Sequence, residues 1–248
     1  MAILEIQHLS HVFPNGTIAL DDVNLSVESG EFIVIAGANG SGKTVLLRHM
    51  NGLLSPTSGK VLLEGVPITK DLNHARRKIG LIFQNSDNQI VGQIVSEDVA
   101  FGPENLNLPR EQVDKLVQET LEAVGLSELA SEQTYTLSGG QKKRLAVAGV
   151  LAMRPQIIAF DEPFVALDYE GVVQVLSQIV ALHKKGHTII LVTHDLDKVL
   201  AHANRLIIME KGRIVKDGDP GWLIDEVEKY GIKKPYGGRR VGTMTWLK

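Results

Sequence analysis

The 248-residue chain is 44% hydrophobic and 22% charged, carries a net charge of −3 and has no cysteine. That length can bury a full core as one large domain or a domain with an insert. The mild acidity gives no reason to expect nucleic acid as a bulk electrostatic partner, and the missing cysteines exclude disulfides and Cys-ligated zinc and suit a reducing compartment.

The start, Met1-Ala2-Ile3-Leu4-Glu5, lacks the basic and apolar regions of a signal peptide. No apolar run approaches the roughly 18 residues that cross a bilayer, so a soluble chain is expected, any membrane role going through a partner. Residues 2–36 read as strands: Ile3 to Ile6, a turn at Pro14-Asn15-Gly16, then Val23-Asn24-Leu25-Ser26-Val27 with its alternation. Phe13, just before the turn, is either core or an aromatic able to stack on an adenine ring.

The apolar, β-branched run Phe32-Ile33-Val34-Ile35-Ala36 leads into Gly37-Ala38-Asn39-Gly40-Ser41-Gly42-Lys43-Thr44, and Val45 to Met50 continues as a helix. Strand, glycine-rich turn and helix N-terminus form the context in which G-x-x-x-x-G-K-[ST] holds phosphate. The glycines let successive N–H groups turn inward, and the helix adds unpaired donors and the positive end of its dipole. Lys43 is placed to reach the β- and γ-phosphates, and the hydroxyl of Thr44 to ligate Mg²⁺.

A glycine-bounded strand spans Ser58 to Gly65, and Arg76-Arg77-Lys78, read as a solvated basic face, leads into the buried strand Ile79 to Phe83, ending at Gln84. From Asn85 the composition changes. Ser96 is the expected N-cap of a helix through Phe101. Pro109 is expected in the first turn of the next, whose Val113, Leu116, Val117, Leu121 and Val124 recur at helical spacing until Gly125. Residues 85–155 therefore read as a helical subdomain inserted between strands of the core.

Leu137-Ser138-Gly139-Gly140-Gln141 opens a further helix. A capping box accounts for Ser138 and Gln141. It does not account for two glycines in a first turn, each costing about 1 kcal/mol relative to alanine, whereas a bare helix N-terminus suits close approach to a second phosphate. The strand Ile157 to Asp161 ends in the carboxylates Asp161 and Glu162, expected beside the phosphate loop. A helix from about Tyr169 to Leu182 follows, then a strand running into His194. Strands alternating with helices imply a largely parallel sheet covered on both faces, with ligands at the strands' carboxyl ends. There Asp161 can hold Mg²⁺, Glu162 can take a proton from a water attacking the γ-phosphate, and His194 can donate to that phosphate. The amide of Gln84 can touch both metal and water. Arg205 to Met209 and Arg213 to Val215 read as closing strands, and from Lys229 onward six basic residues and no acidic one form a tail that is either poorly ordered or a contact for anionic lipid headgroups or a partner.

Taken together, the loop at 37–44, Gln84, LSGGQ at 137–141, IIAFDE at 157–162, Ala166-Leu167-Asp168 and His194 resemble an ATP-binding cassette ATPase from about Ile3 to Asp219. The resemblance implies an α/β fold: a P-loop NTPase core of residues 1–84 and 156–218 with a largely parallel sheet and N-terminal antiparallel strands, a helical signature subdomain at 85–155, and a basic tail at 219–248. It implies ATP and Mg²⁺ as ligands and Glu162, His194 and Gln84 as catalytic. Thr44, Gln84 and Asp161 would serve the metal. Phe13, residues Gly37 to Val45 (Gly37, Ala38, Asn39, Gly40, Ser41, Gly42, Lys43, Thr44, Val45) and Ser138, Gly139, Gly140 and Gln141 would serve the nucleotide. Two such chains, identical or related, are expected head to tail, the signature helix of one over the phosphate loop of the other and Asp168 on the seam. Phe13 then takes the stacking role.

The stretch Gln84 to Gln89 with Ser96 to Asn105 is most similar to the ATPase subunits of energy-coupling factor transporters, which import vitamins and transition-metal ions. That implies a peripheral position on the cytoplasmic face of the membrane and a membrane partner contacted through Asn85–Asn105, Asp98 and Glu97 foremost. Alternatives are an ATPase of another transporter class or a non-transport ATPase of the superfamily. One departure is Phe164-Val165, where small or polar residues are usual.

Overall fold

Two apolar patterns in the chain build two kinds of sheet. Alternation makes strands wet on one face, and uninterrupted apolar runs make strands covered on both. The computed structural model describes residues 2–235 and 240–247. β1 (Ala2–Val12) and β2 (Ile18–Glu28) form a long hairpin, followed by β3 (Phe32–Ala36), every residue of which is buried. α1 (Lys43–Met50) leads to β4 (Ser58–Leu63) and β5 (Val66–Pro67), which complete an antiparallel sheet in the order β2-β1-β4-β5.

α2 (Leu72–Lys78) then enters β6 (Ile79–Ile82), and three helices follow: α3 (Val95–Asn105), α4 (Arg110–Ala123) and α5 (Gly139–Leu151). The chain continues through β7 (Ile157–Asp161), α6 (Tyr169–Lys184), β8 (Thr188–Val192), the single turn α7 (Leu196–Val199), β9 (Arg205–Glu210), β10 (Arg213–Gly218) and the short α8 (Pro220–Leu223). The second sheet runs β10-β9-β3-β8-β7-β6, parallel except for the β10 edge.

The central strand divides its side chains between two cores. Phe32, Val34 and Ala36 face α3–α6, while Ile33 and Ile35 face α1 and the antiparallel sheet. Helices on one side and a second sheet on the other leave the carboxyl ends of β3, β7 and β8 open as the common edge where ligands bind.

Several expectations are corrected. α3 begins at Val95 with Ile94 in the cap position, not at a Ser96 cap, because the N–H groups of Val95 and Ser96 are already taken by the carbonyls of Glu132 and Ala130. Pro109 is the N-cap of α4 rather than a first-turn residue. The basic face at Arg76–Lys78 is not simply solvated, since Arg76 donates to the Gly52 carbonyl and Arg77 and Lys78 line a cavity. The described tail residues are packed, with Ile232 and Met244 each 2% exposed. Of its basic residues, Arg239 and Lys248 lie outside the described residues.

Candidate active site

The phosphate loop is held by packing as well as by its glycines. A Cβ on Gly42, whose φ is +101°, would sit 2.6 Å from the Ala19 carbonyl oxygen, and one on Gly37 would sit 2.3 Å from that of Met209. Both positions exclude any side chain, so the loop lies flat against β2 and β9. Lys43 curls back within this loop, its Nζ donating to the carbonyls of Gly37 (2.8 Å) and Ala38 (2.9 Å) and to Ser41 Oγ (3.3 Å). Burial lowers its pKa, against the raising pull of the Glu162 and Asp161 charges.

Although β8 separates β7 from β3, Thr44 at the start of α1 reaches across and its hydroxyl donates to Asp161 Oδ1 at 3.0 Å. Burial raises the pKa of Asp161, opposed by that hydrogen bond. Two hard oxygen donors this close, in a pocket that disfavours a bare carboxylate, suit Mg²⁺. The next residue, Glu162, takes φ 48°, in the left-handed region, its N–H donating to the Val192 carbonyl. That turn aims the carboxylate at β8, where Glu162 Oε1 and His194 Nδ1 lie 2.9 Å apart.

Phe13, Asn39 to Val45, Gln84, Glu162, Val165 and His194 surround one cleft of about 630 Å³. Phe13 is half-buried there, edge-on to His11 with ring centroids 4.8 Å apart. Gln84 is exposed at the cleft, and among the described residues its amide makes no hydrogen bond with Thr44 or Asp161. Its backbone is fixed instead: Lys143 Nζ, on α5, donates to the carbonyls of Gln84 (2.7 Å) and Phe83 (3.1 Å). Lys143 is 3% exposed, and burial lowers its pKa to about 8. The sequence analysis missed this latch, because Lys143 sits between Lys142 and Arg144 in a run of charges and only its helical spacing from the buried Ala146 and Val147 sets it apart.

The second glycine-rich helix start lies elsewhere. Ser138 and Gln141 make both hydrogen bonds of a capping box, so the amide of Gln141 is spent within its own helix. A Cβ on Gly139 would meet nothing within 4 Å and one on Gly140 nothing nearer than 3.8 Å. Packing within this chain therefore gives no reason for either glycine. They line a separate concavity of about 410 Å³ with Ala166, Leu167 and Asp168. Asp168 is the N-cap of α6, its Oδ1 accepting from Gly171 N–H at 2.8 Å. Phe164 is 3% exposed, with the Lys198 ammonium 5.8 Å from its ring centroid and 4.9 Å from that of Trp246. The departure at Phe164-Val165 thus places an aromatic anchor beneath the loop to Asp168.

A phosphate loop at the end of β3, the Thr44–Asp161 pair, the Glu162–His194 pair and a detached glycine-rich helix start define a P-loop NTPase. The ABC transporter family model matches residues 20–165, and the chain belongs to that family and is an ATPase. The energy-coupling factor transporter ATP-binding protein EcfA of Methanocaldococcus jannaschii is 46% identical over 231 residues, 92% of this chain and 83% of its own length. EcfA1 of Caldanaerobacter subterraneus is 46% identical over 244 residues, covering 94% and 87%. Among solved structures, cbiO1 of Clostridium perfringens, part of the transporter complex cbiONQ, superposes with a TM-score of 0.83 at 38% identity over 92% of each chain. A dimeric ATP-binding cassette in a post-hydrolysis state with ADP and Pi bound gives 0.78 at 30% identity, covering 87% and 98%.

Proposed function

We propose that this chain is the ATPase subunit of an energy-coupling factor type importer, closing on ATP as a dimer at the cytoplasmic face of the membrane. ATP lies in the larger cleft, its adenine against Phe13 and its phosphates in the Gly37–Thr44 loop, where Lys43 exchanges the Gly37 and Ala38 carbonyls for phosphate oxygens. Thr44 and Asp161, with the amide of Gln84 brought to them, hold Mg²⁺, which when bound neutralises charge on the phosphates. Glu162 takes the proton of the attacking water. His194 orients Glu162 and donates to the γ-phosphate, and the Ser138–Gly140 helix start of the partner chain supplies further donors. Each nucleotide binds the closed pair best, so binding drives closure, and loss of the γ-phosphate contacts releases it. Residues 85–155 move as one lobe against the core of 1–84 and 156–218, carrying the motion to the membrane partner.

The observation that carries the transporter reading is a groove of about 280 Å³ between that lobe and the core. The exposed apolar side chains of Leu53, Val91 and Phe101 line it, and Asp98 lies in its wall, 7% exposed. Asp98 Oδ1 accepts from the N–H groups of Val91 (2.7 Å) and Gly92 (2.9 Å), and burial raises its pKa. Its other oxygen makes no hydrogen bond among the described residues, so it suits an arginine on a short helix of the membrane component. Glu97 is exposed and outside the groove, which narrows the expected pair of contact residues to Asp98. Asp98→Asn keeps the acceptor for Val91 and Gly92 but discards the charge. The expected outcome is ATPase activity retained in the isolated dimer, with co-purification of the membrane component and solute uptake lost. Breaking one side of a desolvated charge pair costs about 2–5 kcal/mol. Uptake unchanged by this substitution overturns the contact.

A further inference from the structure

A second cavity of about 550 Å³ lies between α2, the Leu106–Leu108 segment, α4 and the end of α5. Its rim carries His74, Arg77, Lys78, Lys115 and Arg154, and its floor is apolar, from Leu106, Leu108, Leu116 and Met153. One carboxylate answers this charge: Glu119 pairs weakly with both Lys115 (3.8 Å) and Arg154 (3.4 Å). The side chains of Arg77 and His74 have no hydrogen bond or ion pair among the described residues, while Lys78 is within reach of the side-chain oxygen of Gln156 once its amide is turned. On a chain with a net charge of −3, so many cations around one apolar floor form a local reversal of sign.

We propose that this cavity binds the headgroup of an anionic phospholipid. Its volume falls within the range of small-ligand pockets, about 300–1,000 Å³. The rim supplies guanidinium and ammonium donors for a phosphate diester, and the floor covers the glycerol and the start of an acyl chain. The cavity adjoins the groove at Asp98: Met153 lines both, and Arg76 of the groove is next in sequence to Arg77 of the cavity. In this respect the inference rests on the groove facing the membrane. A bound headgroup would bridge the core and the helical lobe, since α2 belongs to one and α4 and α5 to the other, and so would bias their relative rotation.

The test uses the full chain without its membrane component, so its result is independent of the Asp98 experiment. Sedimentation with phosphatidylcholine vesicles is compared with sedimentation on vesicles that also contain phosphatidylglycerol. Binding is expected only to the latter and is expected to weaken with salt. Each surface cation near such a membrane contributes about five-fold in affinity, so Arg77→Gln with Lys115→Gln should weaken binding about thirty-fold at an unchanged thermal midpoint. Lys229→Gln with Arg240→Gln, in the tail, should leave it near the starting value. Equal binding to both vesicle types, binding untouched by the cavity pair, or loss carried by the tail pair overturns the proposal. Stabilisation by sn-glycerol 3-phosphate without vesicle binding also overturns it, in favour of a free phosphate ester.

Discussion

Glu162 sits in a backbone conformation that few side chains other than glycine and asparagine adopt readily, at φ 48°. Strain of this kind costs of order 1–3 kcal/mol and persists where surrounding contacts impose it. Here the Val192 carbonyl on one side and His194 on the other impose it. The carboxylate is held against the imidazole rather than turned to solvent, its side chain 12% exposed. Glu162→Gln preserves the size of the side chain and a hydrogen bond to His194 but removes the ability to accept a proton. Phosphate release is expected to fall by about 10²–10⁴, with ATP still bound and dimer accumulating on size exclusion. Turnover near that of the parent protein would remove Glu162 from the role of base.

At the scale of elements, α5 does two things at once. Its first turn carries Gly139 and Gly140, proposed to meet a second chain, and one turn later Lys143 grips the Phe83 and Gln84 carbonyls at the end of β6. One rigid helix thus joins the glycine-rich start to the backbone of Gln84. Lys143→Met fills the space but leaves both carbonyls without their donor, a loss of about 1–3 kcal/mol. ATPase activity should fall through misplacement of Gln84, seen in kcat more than in KM. The latch also has a pH signature. With a native pKa of about 8 against an ordinary 10.5, the unfolded chain holds more protons than the native one between those values. Stability from this group therefore rises with pH across that window. Denaturant midpoints measured from pH 8 to 10 should show the rise in the parent protein and lose it in Lys143→Met.

Much of this was legible because the relevant elements obey local rules. The β3 run, the loop at 37–44 and the capping box at Ser138 each declare themselves within a dozen residues. What the sequence concealed depends on placement across the fold. The strand order puts β8 between β3 and β7, which no local pattern encodes. Asp98 reads as a first-turn carboxylate suited to a helix dipole, yet its side chain turns back to Val91 and Gly92. The basic tail reads as poorly ordered, yet Met244 is buried and Trp246 packs over Lys198, because apolar residues spaced among the charges find a surface that only the folded body provides.

On the scale of the whole molecule, no described residue lines both the phosphate-loop cleft and the signature concavity. Under the proposed shared site the two halves of the reaction chemistry meet between chains, and a mixture is expected to do what neither parent does. Lys43→Ala lacks phosphate binding, and Gly139→Asp sets a carboxylate against the γ-phosphate. Each homodimer is expected to be inactive. The exchanged heterodimer contains one site with Lys43 and Gly139 both intact, so mixing should restore a fraction of the parent activity. A mixture as inactive as its components, with exchange shown by labelled chains, argues against shared sites.

The strand order also governs how the chain is made. β3 pairs with β8 and β9, so Phe32 waits for Ile189, and five fully buried side chains have no strand partner until the ribosome has delivered them. At about 5–20 residues per second the wait is roughly 10–30 s, whereas β1, β2 and β4 can pair among themselves much earlier. The phosphate loop, flanked by β3, is therefore the part of the nascent chain most exposed to misassociation and to chaperone capture. Ribosome-bound chains arrested with β8 still unmade should be cut by protease after β3, and chains arrested once β9 has emerged should resist.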